Sequence, residues 1–205
     1  MSGAVSFHIL MRRLMTEIVP GPVITADFTG SVGSAAADQF LRLYFRARGS
    51  ETILRRDQVS LRDFAKLLPD ISILELKSPT EIAFRLAGSN LAHRIGRDPT
   101  GANILDFTPP DMRDGVSFLS WQAVAHPCGH FAVYRVERKF GAHQTFHSVT
   151  LPLRASADET VPSQLISFGG AEGSVGFTTP PEPVLTTGEL KEFRYVDLGH
   201  GVPAS

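Results

Sequence analysis

The stretch Leu68–Gly101, LPDISILELKSPTEIAFRLAGSNLAHRIGRDPTG, decides how the rest of the chain is read. Ile71–Leu76 is apolar on both faces, as a strand in the middle of a covered sheet is. KSPTE supplies a turn. In the strand after it, Ile82, Phe84, Leu86 and Gly88 share one face, while Ala83, Arg85 and Ala87 share the other. A short helical piece over Asn90–Ile95 runs into a corner, Gly96–Gly101, where both glycines allow positive φ and Pro99 stiffens the turn between them. Nothing in this stretch suggests bond-breaking chemistry.

Upstream, Ser34 is placed to cap a helix over 35–48, AAADQFLRLYFRAR, which is free of Gly and Pro until Gly49. Ala37, Phe40, Leu41, Tyr44 and Phe45 form its apolar stripe, with Arg42, Arg46 and Arg48 left mostly to the other side. A second, shorter helix is expected from Ser60, with Asp63 completing a capping box. Its Leu61, Phe64, Ala65 and Leu68 lie on one face, and Pro69 ends it.

Downstream, a short helical piece is expected over Asn103–Phe107. Thr108-Pro109-Pro110-Asp111 then opens a longer helix, with Thr108 as N-cap. Met112, Val116, Leu119 and Ala123 make its inner stripe, widened by Phe118 and Trp121, and His126-Pro127 ends it. Strands over Phe131–Arg138 and Thr145–Leu153 flank the turn KFGAH, and a last strand covers Gln164–Phe168. Segment 1–33 carries mixed signals, the domain runs over 34–172, and 173–205 is a Pro- and Gly-rich linker with a tail. The tail's ELKEFRYVDLG has the look of a piece that docks back on the domain.

A chain of 205 residues with 42% apolar content supports one domain with a real core. Net charge of -1 gives no broad basic surface for nucleic acid. The single Cys128 excludes an intrachain disulfide and fits a reducing compartment. Arg12 and Arg13 interrupt the apolar run at the N-terminus, so it does not read as a secretory signal. No stretch approaches the ~18 continuous apolar residues that span a bilayer. A cytoplasmic protein is expected, acting on neither membrane nor nucleic acid.

LLPDISILEL, FRLAGSNL, GRDPTG and the closing LPL at Leu151–Leu153 together resemble the PAS subfamily common in alphaproteobacteria, over roughly residues 36–172. The resemblance implies an α+β fold: a five-stranded antiparallel sheet with helices on one face, enclosing a pocket, beside an N-terminal helix and an extended C-terminal tail. It also implies a sensory or relay role without catalysis. Haem-binding relatives carry a His on the long helix, and here 111–125 has none; His93 is the only helical alternative. Flavin-binding relatives use a Cys on the short helix after the second strand, and Asn90–Ile95 has none. Neither cofactor is expected.

If a ligand pocket exists, Phe84, Leu86, Val133, Val149 and Leu151 of the sheet face Leu91, Ile95, Ile104, Phe107 and Leu119 of the helices across it. A dry cavity costs about 1 kcal/mol per missing methyl-sized volume, so close packing of these residues is the competing expectation. His126, Cys128, His130, His143 and His147 gather around one hairpin and are weak metal candidates, since their spacing matches no standard zinc pattern. Arg97 either binds an anion or helps Asp98 and Arg94 hold the corner. Phe40, Leu41, Tyr44 and Phe45 either meet a dimer partner or cap the chain's own sheet.

The expected function is a non-catalytic sensor or adaptor, homodimeric, that binds a small ligand or a signalling partner in a bacterial pathway. A ligand-free interaction module is one alternative. A small enzyme using the cavity is the other, against which stands the lack of a carboxylate paired with His or Tyr; Glu75 and Glu137 are the nearest options.

Overall fold

The computed structural model describes residues 21–137, 143–171 and 188–203. The segment to Pro20, the hairpin turn near Phe140–Ala142 and the Pro-rich linker over 172–187 lie outside the described residues.

The strands β1 (Leu54–Arg55), β2 (Ile71–Ser78), β3 (Glu81–Ala87), β4 (Cys128–Glu137), β5 (His143–Arg154), β6 (Gln164–Ala171) and β7 (Gly188–Asp197) form one sheet. Its order is β3-β2-β6-β5-β4-β7, every neighbour antiparallel, with β1 added parallel to the end of β5. The five strands expected from the sequence are β2 to β6, and the C-terminal ELKEFRYVDLG supplies β7 along the free side of β4.

Among the described residues three α-helices cover this sheet from both sides. Helix α1, Ala35–Arg48, lies on one face, and Ser34 caps it by accepting from the Ala37 N–H at 3.3 Å. Phe40 stacks on Phe168 at 5.8 Å and meets Phe64 edge-on at 6.1 Å. The buried Tyr44 hydroxyl donates to the Pro152 carbonyl at 2.8 Å and accepts from the Leu54 N–H at 3.3 Å, joining α1 to β5 and β1. Helices α2, Ser89–Ile95, and α3, Arg113–Ala125, cover the other face together with a 3-10 turn over Ile104–Asp106.

Several local expectations need correction. No regular helix forms from Ser60. Ser60 does accept from the Asp63 N–H, but the chain makes a run of turns and then a 3-10 turn over Leu68–Asp70. Leu61 is 67% exposed, and Phe64 and Leu67 carry the burial instead; so short a segment leaves its conformation to tertiary packing. Thr108 does not cap α3. Its hydroxyl donates back to the Ile104 carbonyl at 3.0 Å, and α3 is preceded by a 3-10 turn over Pro110–Met112. Phe118 faces solvent, because small Ser117 and Ser120 take the buried positions beside it.

The alternation of β3 also breaks. Leu74 pairs with Phe84 but Ile73 pairs with Leu86, so Arg85 is an extra residue in the ladder. A bulge of this kind moves every later side chain to the opposite face. Leu86 therefore leaves the face of Phe84 and is 38% exposed, while Ala87 turns in to pack with Phe84 and Leu91.

Residues 21–33 belong to the folded domain. Ile24 is fully buried, and Asp38 fixes the approach to α1 by accepting from the Ser31 hydroxyl at 2.6 Å and the Val32 N–H at 2.8 Å. Both sheet edges are dressed. On β3, Phe84 N–H donates to Ala102 O at 3.0 Å and Gly101 N–H to Phe84 O at 2.7 Å; on β7, Ile24 N–H donates to Tyr195 O at 2.9 Å. Such cover removes the bare edge that invites further strand pairing. Among the described residues no helix is long and apolar enough to cross a membrane.

Candidate functional site

Between the sheet and the roof of α2, α3 and the 3-10 turn lies a cavity of ≈ 290 Å³. Its floor is a register effect. Ser72 of β2 sits opposite Ser167 of β6, Ser167 opposite Thr150 of β5, and Thr150 opposite His130 of β4. These residues make one polar row running straight across four neighbouring strands, and with ~4.8 Å between strands it spans about 14 Å. One step along each strand pair, Ala132 faces Ser148 and Ser148 faces Gly169. Small side chains on the floor cannot reach the roof, which is why a cavity remains where a larger floor would have closed it.

The roof is apolar. Leu91, Ile95, Ile104, Phe107, Met112, Val116 and Leu119 line it, with Leu74 and Phe84 contributed by the sheet. At one end Arg94 of α2 donates to Asp70 at 3.1 Å and to the Gly169 carbonyl at 2.8 Å, and its guanidinium lies over the Phe146 ring at 5.6 Å. Asn90 holds the other Asp70 oxygen at 2.9 Å. Arg94 thus pins α2 to both the entry of β2 and the far end of β6. Gly88, at the start of α2, lies against the same corner: a Cβ there would come within 2.3 Å of the Leu68 carbonyl oxygen. The leucine–proline pair and the glycine after β3, far apart in the motif, are in contact for that reason.

Of the expected pocket residues, Phe84, Leu91, Ile95, Ile104, Phe107 and Leu119 line the cavity. Val133, Val149 and Leu151 do not. They lie on the α1 face, in the core with Phe40 and Tyr44, and Leu86 is lost through the bulge. Besides Leu74, Phe84 and the larger His130, Tyr134 and Phe146, the sheet positions that line the cavity include the small polar ones of the opposite parity: Ser72, Ser148, Thr150 and Ser167. Their signal was present in the text, since SVTL alternates small polar with large apolar residues. Without knowing that α1 covers the second face, the apolar parity is the natural one to turn toward the pocket.

The expected dimer stripe is used within the chain. Phe40, Leu41 and Tyr44 are buried against the chain's own sheet, and Phe45 is half-buried with its ring edge-on to Tyr44 at 6.0 Å. The hairpin histidines do not gather. His130 pairs with Thr150 and points into the cavity, whereas His143 pairs with Glu137 and His147 with Val133 on the α1 face. His126 meets the Gly201 carbonyl at 3.2 Å. Cys128 is buried, and burial, with Asp197 nearby, pushes its thiol up to about 11, away from the thiolate a metal takes. Among the described residues no group of His, Cys, Asp and Glu is placed to hold a metal ion.

His130 is the titratable group on the row. Burial pushes its pKa down to about 4, so the ring is a neutral imidazole with one donor and one acceptor. It stacks on Phe193 of β7 at 6.0 Å. The corner after α2 holds itself: Asp98 accepts from the Thr100 N–H at 2.9 Å and its hydroxyl at 2.7 Å, and Gly96 and Gly101 take φ of 82° and 84°. Arg97 lies over the Phe107 ring at 5.3 Å, and Arg94 has left the corner for Asp70.

The strand order and the helical roof with a cavity beneath it define an α+β domain. Residues 33–165 match the model of the PAS domain family, and the chain belongs to that family, a common sensor and signalling module. No curated protein matches the chain. Among solved structures it is similar to VqmA bound to DPO, with 15% identity and a TM-score of 0.41, covering 54% of this chain and 56% of that one. It is similar to a Vibrio cholerae VqmA dimer in the absence of target DNA, at 17% identity and a TM-score of 0.41, over 58% of this chain and 53% of that one. A third is the PAS domain of a Colwellia psychrerythraea protein, at 14% identity and a TM-score of 0.38, over 54% of this chain and 94% of that one. The chain spans about half the length of the VqmA structures it matches.

Proposed function

We propose that this chain is a non-catalytic sensor or adaptor in a bacterial regulatory pathway, whose cavity takes a small molecule. Occupancy would bias how α2 and α3 pack on the sheet, and a partner protein would read the difference. The observation that carries this is the polar row under an apolar roof. A closed core would have placed large apolar residues at Ser72, Ser148 and Ser167, as it does on the α1 face. Against catalysis, Asp70, the carboxylate that lines the cavity, is already held by Arg94 and Asn90.

Native mass spectrometry of the full chain, equilibrated with a bacterial small-molecule extract, tests the reading. The expected result is a retained mass that is lost on denaturation, with a rise in melting temperature. An apo mass with an unchanged melt discards the ligand and leaves a ligand-free interaction module. A homodimer belongs to the same proposal and has to use a surface other than Phe40, Leu41 and Tyr44. Sedimentation at rising concentration checks it, and a monomer mass throughout removes it.

A further inference from the structure

Helix α2 is held on the domain differently from its two companions. α1 buries Phe40, Leu41 and Tyr44, and α3 buries Ala123 and Val124, but no residue of α2 is fully buried. A helix of seven residues has little stability of its own in water, so side-chain contacts decide whether it stays docked. The polar ones converge on Arg94. From them we infer that α2 and the glycine-rich end of β6 open and close as one unit, joined by Arg94, while the rest of the sheet stays folded.

The end of β6 needs that tie. The β2–β6 ladder stops at Ile71 and Phe168, whereas β6 runs on to Ala171 with β5 as its strand neighbour. Two of the three residues beyond Phe168 are Gly169 and Gly170, which lose the most backbone freedom on ordering and have no side chain to pack. Arg94 stands where the second strand is missing. One guanidinium nitrogen donates to the Gly169 carbonyl at 2.8 Å and another to Asp70 at 3.1 Å, so one rigid fork grips two elements. Arg94 and Asp70 are 18% and 22% exposed, against 47% and 51% for the surface pair Lys77–Glu81, so solvent screens them less.

Release is made easy by three features. The Arg94 Nε is buried without a partner among the described residues, and it regains water on opening. Gly96 ends α2 at φ 82°, and Gly88 precedes it with its N–H on the Ile71 carbonyl at 2.8 Å, so the helix lies between a flexible joint and a fixed one. Few buried contacts mark the low-stability end of a fold, where local opening occurs. On the sensor reading above, this unit is the part whose packing a binding event changes, and Arg94 is the positioning residue that carries the change from α2 to β6.

Native-state hydrogen exchange of the full chain, followed by NMR without ligand, tests the coupling. The Ala92 and Gly96 amides, bonded to the Gly88 and Ala92 carbonyls at 3.0 and 2.9 Å, report on α2, and the protected amides over 169–171 report on β6. Both sets are expected to share one opening constant, within about twofold, far above that of β4. Arg94→Gln should speed both by at least about tenfold and leave β4 unchanged. Gly169→Ala is the second arm, since a Cβ there meets only Arg94 Nη2, at 3.9 Å. By stiffening the strand it should slow exchange over 169–171 about two- to fivefold, and slow α2 by the same factor. In the Arg94→Gln background the effect on α2 should vanish. Unequal opening constants in the wild type, acceleration spread through β4, or a Gly169→Ala effect confined to β6 overturns the coupling. Should Arg94→Gln fail to fold, Gly169→Ala in the wild-type chain still decides. Failure here leaves the sensor reading standing, because no ligand enters the measurement; an apo mass from the extract removes the ligand and leaves the coupled unit.

Discussion

The two faces of the sheet are built from the same strands and do opposite work. On the α1 face, Ile71, Phe131, Val149, Leu151, Ile166 and Phe168 join Phe40, Leu41 and Tyr44 in one cluster of buried apolar side chains. On the α2–α3 face the alternate residues of those strands are Ser72, Thr150, Ser148, Ser167 and Gly169, and a cavity stands above them. A strand has period 2, so one sequence can write two independent surfaces. Here one surface supplies the stability and the other is free to trade packing for recognition. The comparison makes quantitative demands on both sides.

The largest effect belongs to the packed face. Phe40→Ala removes a ring that is fully buried and touches both Phe64 and Phe168. Equilibrium denaturation should register a loss of about 3–5 kcal/mol. A loss under about 1 kcal/mol would mean that α1 is not packed as described, and the division of labour between the faces would go with it. The same burial changes what a charge on this stripe does: Tyr44→Glu should unfold the chain before it could say anything about a dimer.

His130 carries the next largest effect and lies on the cavity side. Its folded pKa is pushed down to about 4 from the ordinary 6.5 by burial. Between those values the unfolded chain takes up a proton that the folded chain refuses, so stability is whole above pH 6.5 and falls as pH drops toward 4. The gap corresponds to on the order of 3 kcal/mol. Because carboxylates titrate at the low end of this window, the useful quantity is the wild type minus His130→Gln difference in urea melts between pH 7 and 4. Parallel curves for the two proteins would show that the row is wet and open, and that the cavity is less enclosed than its walls suggest.

How much of this was written in the sequence varies by feature, and for physical reasons. The α1 stripe and its Ser34 cap were legible because helical period and capping are local, and Gly96–Gly101 because only a few residues tolerate positive φ. The strand pairs were legible through alternation. Which parity faces the pocket was not, because that depends on α1 docking from a distant part of the chain. Leu86 was misplaced by the bulge at Arg85, and nothing in RLAG announces an extra residue. His130 was visible as a histidine near others on a hairpin; that it points away from His147 follows from register, which a hairpin with an unknown turn does not disclose.

Gly101→Val probes the roof's outer support. The corner at φ 84° has open space around it, so a side chain meets no neighbour and the cost is backbone strain alone. About 1–3 kcal/mol is expected from denaturation, with Gly101→Asn closer to neutral since Asn tolerates this region better. Equal costs for the two would mean that something other than φ governs the position.

The smallest expected effect is the most informative about the faces. Ser72→Ala deletes the hydroxyl of a buried residue that lines the cavity and makes no side-chain hydrogen bond among the described residues. On a packed face, removing a buried polar group's partners costs 1–3 kcal/mol; here there is no partner to orphan. Stability should therefore change by less than about 0.5 kcal/mol in either direction. The equivalent operation on the other face, Tyr44→Phe, orphans the Pro152 carbonyl and the Leu54 N–H and should cost more than 1 kcal/mol. Measured side by side in urea, the pair asks whether the cavity-side hydroxyls hold the fold together or wait for something else. A Ser72→Ala loss as large as that of Tyr44→Phe would assign them to the fold and remove the reason for expecting a ligand.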